Sequence, residues 1–206
     1  MIRPTFPSTP AKRLGGVTMI EVLVSLLILT VGLLGVAGLQ ARMQTAEVEA
    51  FQRAQAIVLL QEMVDRISAN RQKAAIEGYV TDPSEPLGTG STLDCSAPAT
   101  VFLKDQCEWS SALTGAAETT GGGANKLGAM NEARGCITNP VTTMPREVVV
   151  AVVWQGLVPT VVPAATNCGS GEAAYGSDGK LRRAMIARIK IGCLQNDPAT
   201  GACVTP

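Results

Sequence analysis

The side chains best able to do chemistry in this chain are six cysteines and one carboxylate in an unusual place. Glu21 is the only charged residue between Val17 and Leu39, and Val22–Leu39 is an unbroken run of 18 uncharged residues. A carboxylate inside such a run costs about 2.5–3.5 kcal/mol on membrane-insertion scales, so it calls for a dedicated partner. Were the Gly16–Val17 bond cut, the new α-amine of Val17 would be a cation near the membrane. The Glu21 of one subunit would then neutralise the Val17 amine of a neighbour. The cysteines, Cys95, Cys107, Cys136, Cys168, Cys193 and Cys203, all follow Asp94 and show no CxxC spacing. Behind an apolar span, that pattern reads as disulfides in an oxidising compartment rather than metal ligands.

Other chemistry is thinly represented. The chain has no histidine, which removes Ser–His and Cys–His nucleophile pairs, His-ligated zinc and the usual general base near neutral pH. Aromatic residues make up 3%, too few for stacking platforms. Asp94, Asp105 and Glu108 read as solvated surface, and Asp178 and Asp197 as turn residues. No 12-residue calcium loop and no GxxxxGK[ST] phosphate loop occurs. The expectation is a protein that is not an enzyme, with no metal site and no cofactor. Charge is balanced at 17 basic against 17 acidic residues. Removing residues 1–16, with Arg3, Lys12 and Arg13, leaves 14 basic against 17 acidic and a net charge of −3. Lys180, Arg182 and Arg183 form the only local basic cluster and read as a solvated strand edge, so no nucleic-acid partner is expected.

Three elements must position these groups. Val17–Leu39 is long enough to span a hydrocarbon core of about 30 Å. Lys12 and Arg13 before it keep the N-terminus cytoplasmic, so the chain crosses the membrane once. An ordinary secretory signal would be cut after the apolar run, near Ala37 or Ala41, and would not carry Glu21 at its start. No proline occurs from Ala11 to Asp82, and the spacing predicts one helix from about Val17 to about Ala75, near 90 Å long. Beyond Gln40 it turns amphipathic, with Val48, Phe51, Ile57, Leu60, Val64 and Ile67 on the apolar side. Glu49–Arg53 and Glu62–Arg66 are expected to pair at i,i+4. The chain therefore divides into a leader (1–16), a transmembrane helix (17–40), its amphipathic continuation (41–76) and a disulfide-bearing globular domain (77–206).

The stretch Leu14-Gly15-Gly16-Val17-Thr18-Met19-Ile20-Glu21-Val22-Leu23-Val24 resembles the class III signal of type IV prepilins and pseudopilins. The resemblance implies cleavage by a prepilin peptidase after Gly16, N-methylation of Val17 and an assembly role for Glu21. Val17 departs from the phenylalanine commonest at that position. Gly32, Gly35 and Gly38 fall where helices of such proteins loosen in filaments; close helix–helix packing through small residues is the alternative.

In the C-terminal domain, Asp82–Ser91 is a turn-rich connection, and Asp105–Leu113 is a short helix with Asp105 as its cap. Gly115–Gly128 is a flexible loop. Glu147–Trp154 is a central strand, apolar on both faces. Asp178-Gly179 is a hairpin-type turn signal. Arg182–Gly192 alternates, with Ala184, Ile186, Arg188 and Lys190 opposite Met185, Ala187, Ile189 and Ile191. A strand near Cys136–Thr138 completes an antiparallel meander, one face of which lies under the helix. The fold class is α+β. Within the family the chain resembles minor pilins of the PilV type, the type IV pilus modification proteins. The points of likeness are Met19–Leu27, Trp109, Gly135-Cys136, Val150–Gln155 and Arg182–Ile191. That likeness implies a structural subunit acting in pilus assembly. Its partners would be other minor pilins, the major pilin, the inner-membrane platform and a tip adhesin. A type II secretion pseudopilin of the I type, and a pilus-borne adhesive or DNA-binding protein, are the alternatives. Six cysteines allow fifteen pairings; proximity favours Cys95–Cys107 and Cys193–Cys203, leaving Cys136–Cys168.

Overall fold

The computed structural model describes residues 15–75, 78–116, 119–120, 125–126, 130–141 and 146–192. Arg3, Lys12 and Arg13, and the cysteines Cys193 and Cys203, lie outside the described residues. The chain divides into two units, Met1–Gln44 and Thr45–Pro206.

Helix α1 runs from Met19 to Ala69 and α2 from Arg71 to Ala75, so the single expected helix is interrupted at Asn70. Asparagine is a weak helix former whose amide competes for other partners, and here Asn70 Nδ2 donates to the Tyr79 hydroxyl at 3.1 Å. In the first unit, every described residue through Gln44 is exposed. α1 is long and apolar enough to cross a membrane.

The second unit is an α+β layer structure. Its four-stranded antiparallel sheet has the order β1 (Leu87–Gly88), β4 (Arg134–Val141), β5 (Arg146–Gln155), β6 (Arg182–Ile191). β2 (Thr119–Thr120) and β3 (Asn125–Lys126) pair antiparallel by themselves within the glycine-rich stretch expected to be loop. α3 spans Val101–Leu113. The sheet core follows from period-two alternation along β-branched strands. Val148, Val150, Val152 and Trp154 face the helices, together with Ile137 and Ile191. Cys136, Ala151 and Val153 face the other way. Along β6 the alternation read from sequence holds: Met185, Ala187 and Ile189 join the helix-side core, Ala184 and Ile186 the opposite one.

The helix seam differs from the sequence expectation. α1 buries Gln52, Ala56, Leu60, Met63 and Ile67, a stripe with steps of three and four. Leu60 and Ile67 were expected there, but Val48, Phe51 and Ile57 are 45%, 58% and 46% exposed. Apolar residues occur on more than one side of this helix, so hydrophobicity alone does not choose the buried side. Glu49 pairs with Arg183 at 3.0 Å instead of Arg53, while Glu62–Arg66 forms at 2.8 Å.

α3 starts four residues earlier than expected. Thr100, in extended conformation, accepts from the Leu103 amide at 3.3 Å and is the N-cap; Asp105 sits inside the helix and is not a cap. Trp109 of α3 is fully buried, and its Nε1 donates to the α1 carbonyl of Leu59 at 2.8 Å. Its ring lies on Gly135 of β4, where a Cβ would fall 2.3 Å from Cη2. Glycine at 135 is therefore a space requirement.

Asp178-Gly179 does not close a two-residue hairpin. It ends a long segment, 156–181, that folds back over the second sheet face, with Cys168 and Tyr175 each 1% exposed. Gly179 takes φ +68° and its carbonyl accepts from Arg182 N, so the pair is a turn launching β6. Disulfides join Cys95 to Cys107 and Cys136 to Cys168.

This packing separates three substitutions in denaturant unfolding of the full chain in detergent micelles. Met63→Ala should lose about 2–5 kcal/mol and Gly135→Ala about 1–3 kcal/mol through overpacking against Trp109. Phe51→Ala should stay within about 0.5 kcal/mol. Equal losses for Phe51 and Met63 variants would contradict the seam.

Candidate functional site: the uncovered helix and its carboxylate

Leu, Ile and Val dominate α1 before Gln40, so its surface is apolar nearly all round rather than on one stripe. Met19, Leu23, Leu27, Val31 and Leu34, which lie on one side, are 82%, 59%, 64%, 64% and 73% exposed, and Leu26, Leu29 and Val36 elsewhere on the helix are 53%, 59% and 53% exposed. The hydroxyls in the stretch turn inward on the helix: Ser25 Oγ donates to the Glu21 carbonyl at 2.6 Å and Thr30 Oγ1 to the Leu27 carbonyl at 2.8 Å. Such back-bonding leaves a hydroxyl satisfied without any outside partner. Glu21 is different. Its carboxylate, in the first turn of α1, is exposed and has no hydrogen-bond or ion-pair partner among the described residues.

Its position in the first turn is favourable, because the unpaired amides of a helix N-terminus attract negative charge. Gly16 and Val17 precede the helix in exposed chain without regular secondary structure. The Gly16–Val17 bond is thus outside regular structure, and Glu21 lies one helical turn from it. Cβ atoms placed on Gly32, Gly35 or Gly38 would meet nothing within 4 Å. The chain's own packing does not require glycine at these three positions.

The second unit uses its charges internally. Arg66 gathers Glu62, Asp105 and Glu108 at 2.8, 3.0 and 2.6 Å. Burial pulls its pKa down, but the hydrogen bonds to Glu108, Glu62 and Asp105 outweigh that and raise it. The same contact lowers the pKa of Glu108. Asp105 also accepts from the Tyr79 hydroxyl at 2.5 Å. Burial first, then the charge and hydrogen bond of Asp105, push the Tyr79 pKa up to about 12. Arg134 bonds Glu132, Glu172 and the Tyr175 hydroxyl, and its guanidinium carbon lies 5.4 Å from the Tyr175 ring centroid.

The basic cluster read as a solvated edge is not free. Arg182 is 4% exposed and donates to the carbonyls of Cys168 and Pro163. Arg183 bonds Glu49 and the Val158 carbonyl, and Lys180 pairs with Asp178 at 2.9 Å. Sequence spacing did not reveal the Arg66 and Arg134 hubs, because their partners lie up to 42 residues away. Among the described residues, no three His, Cys, Asp or Glu side chains converge to hold a metal ion.

Comparison with protein-family models, with curated proteins and with solved structures returns no match.

Tyr79 gives the second unit a sign-definite pH dependence. Its raised folded pKa means that the unfolded phenol ionises first. The stability it contributes is whole below pH ~10 and is lost as pH climbs towards about 12. An alkaline titration followed by phenolate absorbance should show no tyrosine ionising at the ordinary value, and Tyr79→Phe should reduce the absorbance change near 12. A step near the ordinary value that Tyr79→Phe removes would contradict the Tyr79–Asp105 contact.

Proposed function

We propose that this chain is a structural subunit of the type IV pilus, a minor pilin of the PilV type that acts in pilus assembly and is not an enzyme. The observation that carries the reading is an uncovered, nearly all-round apolar helix segment with one unpartnered carboxylate, one turn from the Gly16–Val17 bond. Prepilin peptidase cuts that bond and methylates Val17. The chain before cleavage sits in the inner membrane with its N-terminus cytoplasmic and its disulfide-bearing unit in the periplasm. In the fibre, neighbouring helices replace lipid around residues 17–40, and Glu21 meets the Val17 amine of an adjoining subunit.

The exchange of lipid for protein explains why Glu21 is tolerated. Hydrocarbon offers a carboxylate neither charge nor hydrogen bonds, whereas an ammonium within about 4 Å offers both. The same contact sets the stagger between neighbours, because an ion pair in a low-dielectric setting is lost if the helices slip by a turn. Other minor pilins, the major pilin, the inner-membrane platform and a tip adhesin are the partners that follow. Chain length and the six cysteines favour the pilus over an I-type pseudopilin.

Mass spectrometry of the purified mature protein should find Val17 as a methylated first residue. Glu21→Ala should leave the chain membrane-inserted and lower its amount in sheared pili by about tenfold or more, the effect of losing at least ~1.4 kcal/mol. An intact starting methionine, or full incorporation of the variant, would sink the proposal. Deleting the gene should abolish or reduce twitching; normal twitching with lost enzyme secretion would move the chain to a secretion system.

A further inference from the structure

The sheet of the second unit has two edges of very different kinds. β1, at one end, is two residues long, which leaves little to pair with. β6, at the other end, is ten residues long. Its inner edge pairs with β5 along its whole length, from Arg146↔Ile191 to Gln155↔Arg182. Among the described residues, the main chain of 183–191 makes no hydrogen bond to any element but β5. α2 lies beside the strand without bonding to its backbone. No proline or glycine interrupts Arg182–Ile191, and no bulge interrupts its register, so of the devices that blunt an edge the strand itself carries only charged side chains.

The surroundings of that edge say what would fit it. β6 carries Arg182, Arg183, Arg188 and Lys190 and no acidic residue. Arg182 is buried, and Arg183 and Arg188 pair with Glu49 and Glu147, which leaves Lys190 as the strand's unpaired cation among the described residues. Two copies of β6 side by side would set cationic strands together with no anion on either one, which disfavours a second copy of this chain. Beside the strand, an open groove of about 400 Å³ runs between α1 and the sheet, lined by Glu49, Ala50, Arg53, Trp154, Arg183 and Met185 among others. Arg183 is held by Glu49, but Arg53 is exposed and has no ion-pair partner among the described residues. Lys190, exposed, is likewise unpaired. The half-exposed side chains of Met185, Ala187 and Ile189 lie on the helix side of the strand, Ala184 and Ile186 on the other.

From this we infer that β6 is a docking edge that takes an extended acidic segment of a different polypeptide as a fifth strand of the sheet. The segment's backbone bonds the open amides and carbonyls of 183–191. Alternate apolar side chains complete the cover over Met185 and Ile189, and its carboxylates meet Arg53 across the groove and Lys190 on the opposite face. Main-chain bonding supplies the affinity and the alternate side chains the selection, as in other strand additions. The inference stands on the sheet edge and its charges and does not depend on the pilus reading.

The test uses the full chain in detergent micelles and a synthetic probe peptide that alternates valine with threonine and glutamate. Amide hydrogen exchange is followed along β6. The acidic peptide should slow exchange in 183–191 by about tenfold or more at millimolar concentration. The same peptide N-methylated on both of its edges should not. A peptide with lysine in place of glutamate should bind about two- to fivefold more weakly, and Arg53→Glu should narrow or reverse that preference. No slowing by the acidic peptide, slowing that survives N-methylation, or equal binding of the lysine peptide would overturn the inference. So would protection of β6 that rises with protein concentration alone, since the occupant would then be a second copy.

Discussion

One indole joins the three layers of the second unit. Trp109 stands on α3, hydrogen-bonds the backbone of α1 through the Leu59 carbonyl, and rests its ring on Gly135 of β4. A large aromatic buries more apolar surface than any aliphatic residue, and its one polar atom must then find an acceptor. A carbonyl in the exposed part of a helix would serve as well chemically. Leu59 serves structurally because it borders the buried stripe Ala56–Leu60–Met63–Ile67, so the bond orients the seam as well as satisfying the indole. Leu113 lies against Gly135 from the same helix. The close approach of α3 to the sheet, and with it the placement of the Cys95–Cys107 disulfide, follows from the missing side chain at 135.

Arginine does much of the remaining tying between elements. Arg66 links α1 to α3, Arg134 links β4 to the segment after β5, and Arg182 fixes that segment's carbonyls at 163 and 168. A guanidinium suits these positions because it presents several donors in a fixed plane and never loses its charge. Exposed pairs of this kind contribute little, around 0–1 kcal/mol each. Arg134 and Arg182 are enclosed, and there the larger effect is that removing a partner leaves a buried charge unmet. The segment 156–181 has only a short 3-10 turn, Ala173–Tyr175, for regular structure. It is held over the sheet by these bonds, by Cys136–Cys168 and by Tyr175.

These two facts explain what could be read from the residues alone. β5 and β6 were legible because β-branched alternation is a local signal with only one consistent outcome. The uncharged run before Gln40 and the lone Glu21 were legible because composition and charge need no partner to be recognised. The buried side of α1 was not. Phe51 and Val48 look like core residues, yet Gln52 and Ala56 occupy the seam. Asp105 passed for a cap because acids favour helix starts; its carboxylate is instead fixed by Arg66 and Tyr79, partners 39 and 26 residues distant. Nothing in the spacing of 156–181 announces a second core. Cys168 and Tyr175 were its only marks, and each acquires meaning only beside Cys136 and Val153.

The same reasoning separates the two kinds of apolar surface left open. In the second unit the open apolar residues of α1, Val48, Phe51, Ile57 and Val58, are mixed with charged and polar neighbours, and the main chain is satisfied within the helix. Water tolerates such surface, as it does on most folded proteins. Between Met19 and Leu39 the apolar side chains are contiguous on every side and uncovered, and at about 25 cal/mol per Å² water does not tolerate that. Lipid removes the apolar cost but leaves Glu21 worse off than water does. A bundle of like helices, each bringing a cation near the carboxylate of the next, removes both costs together. Protein contact that also supplies a cation would meet both demands, and that is the physical argument behind the proposed role in assembly.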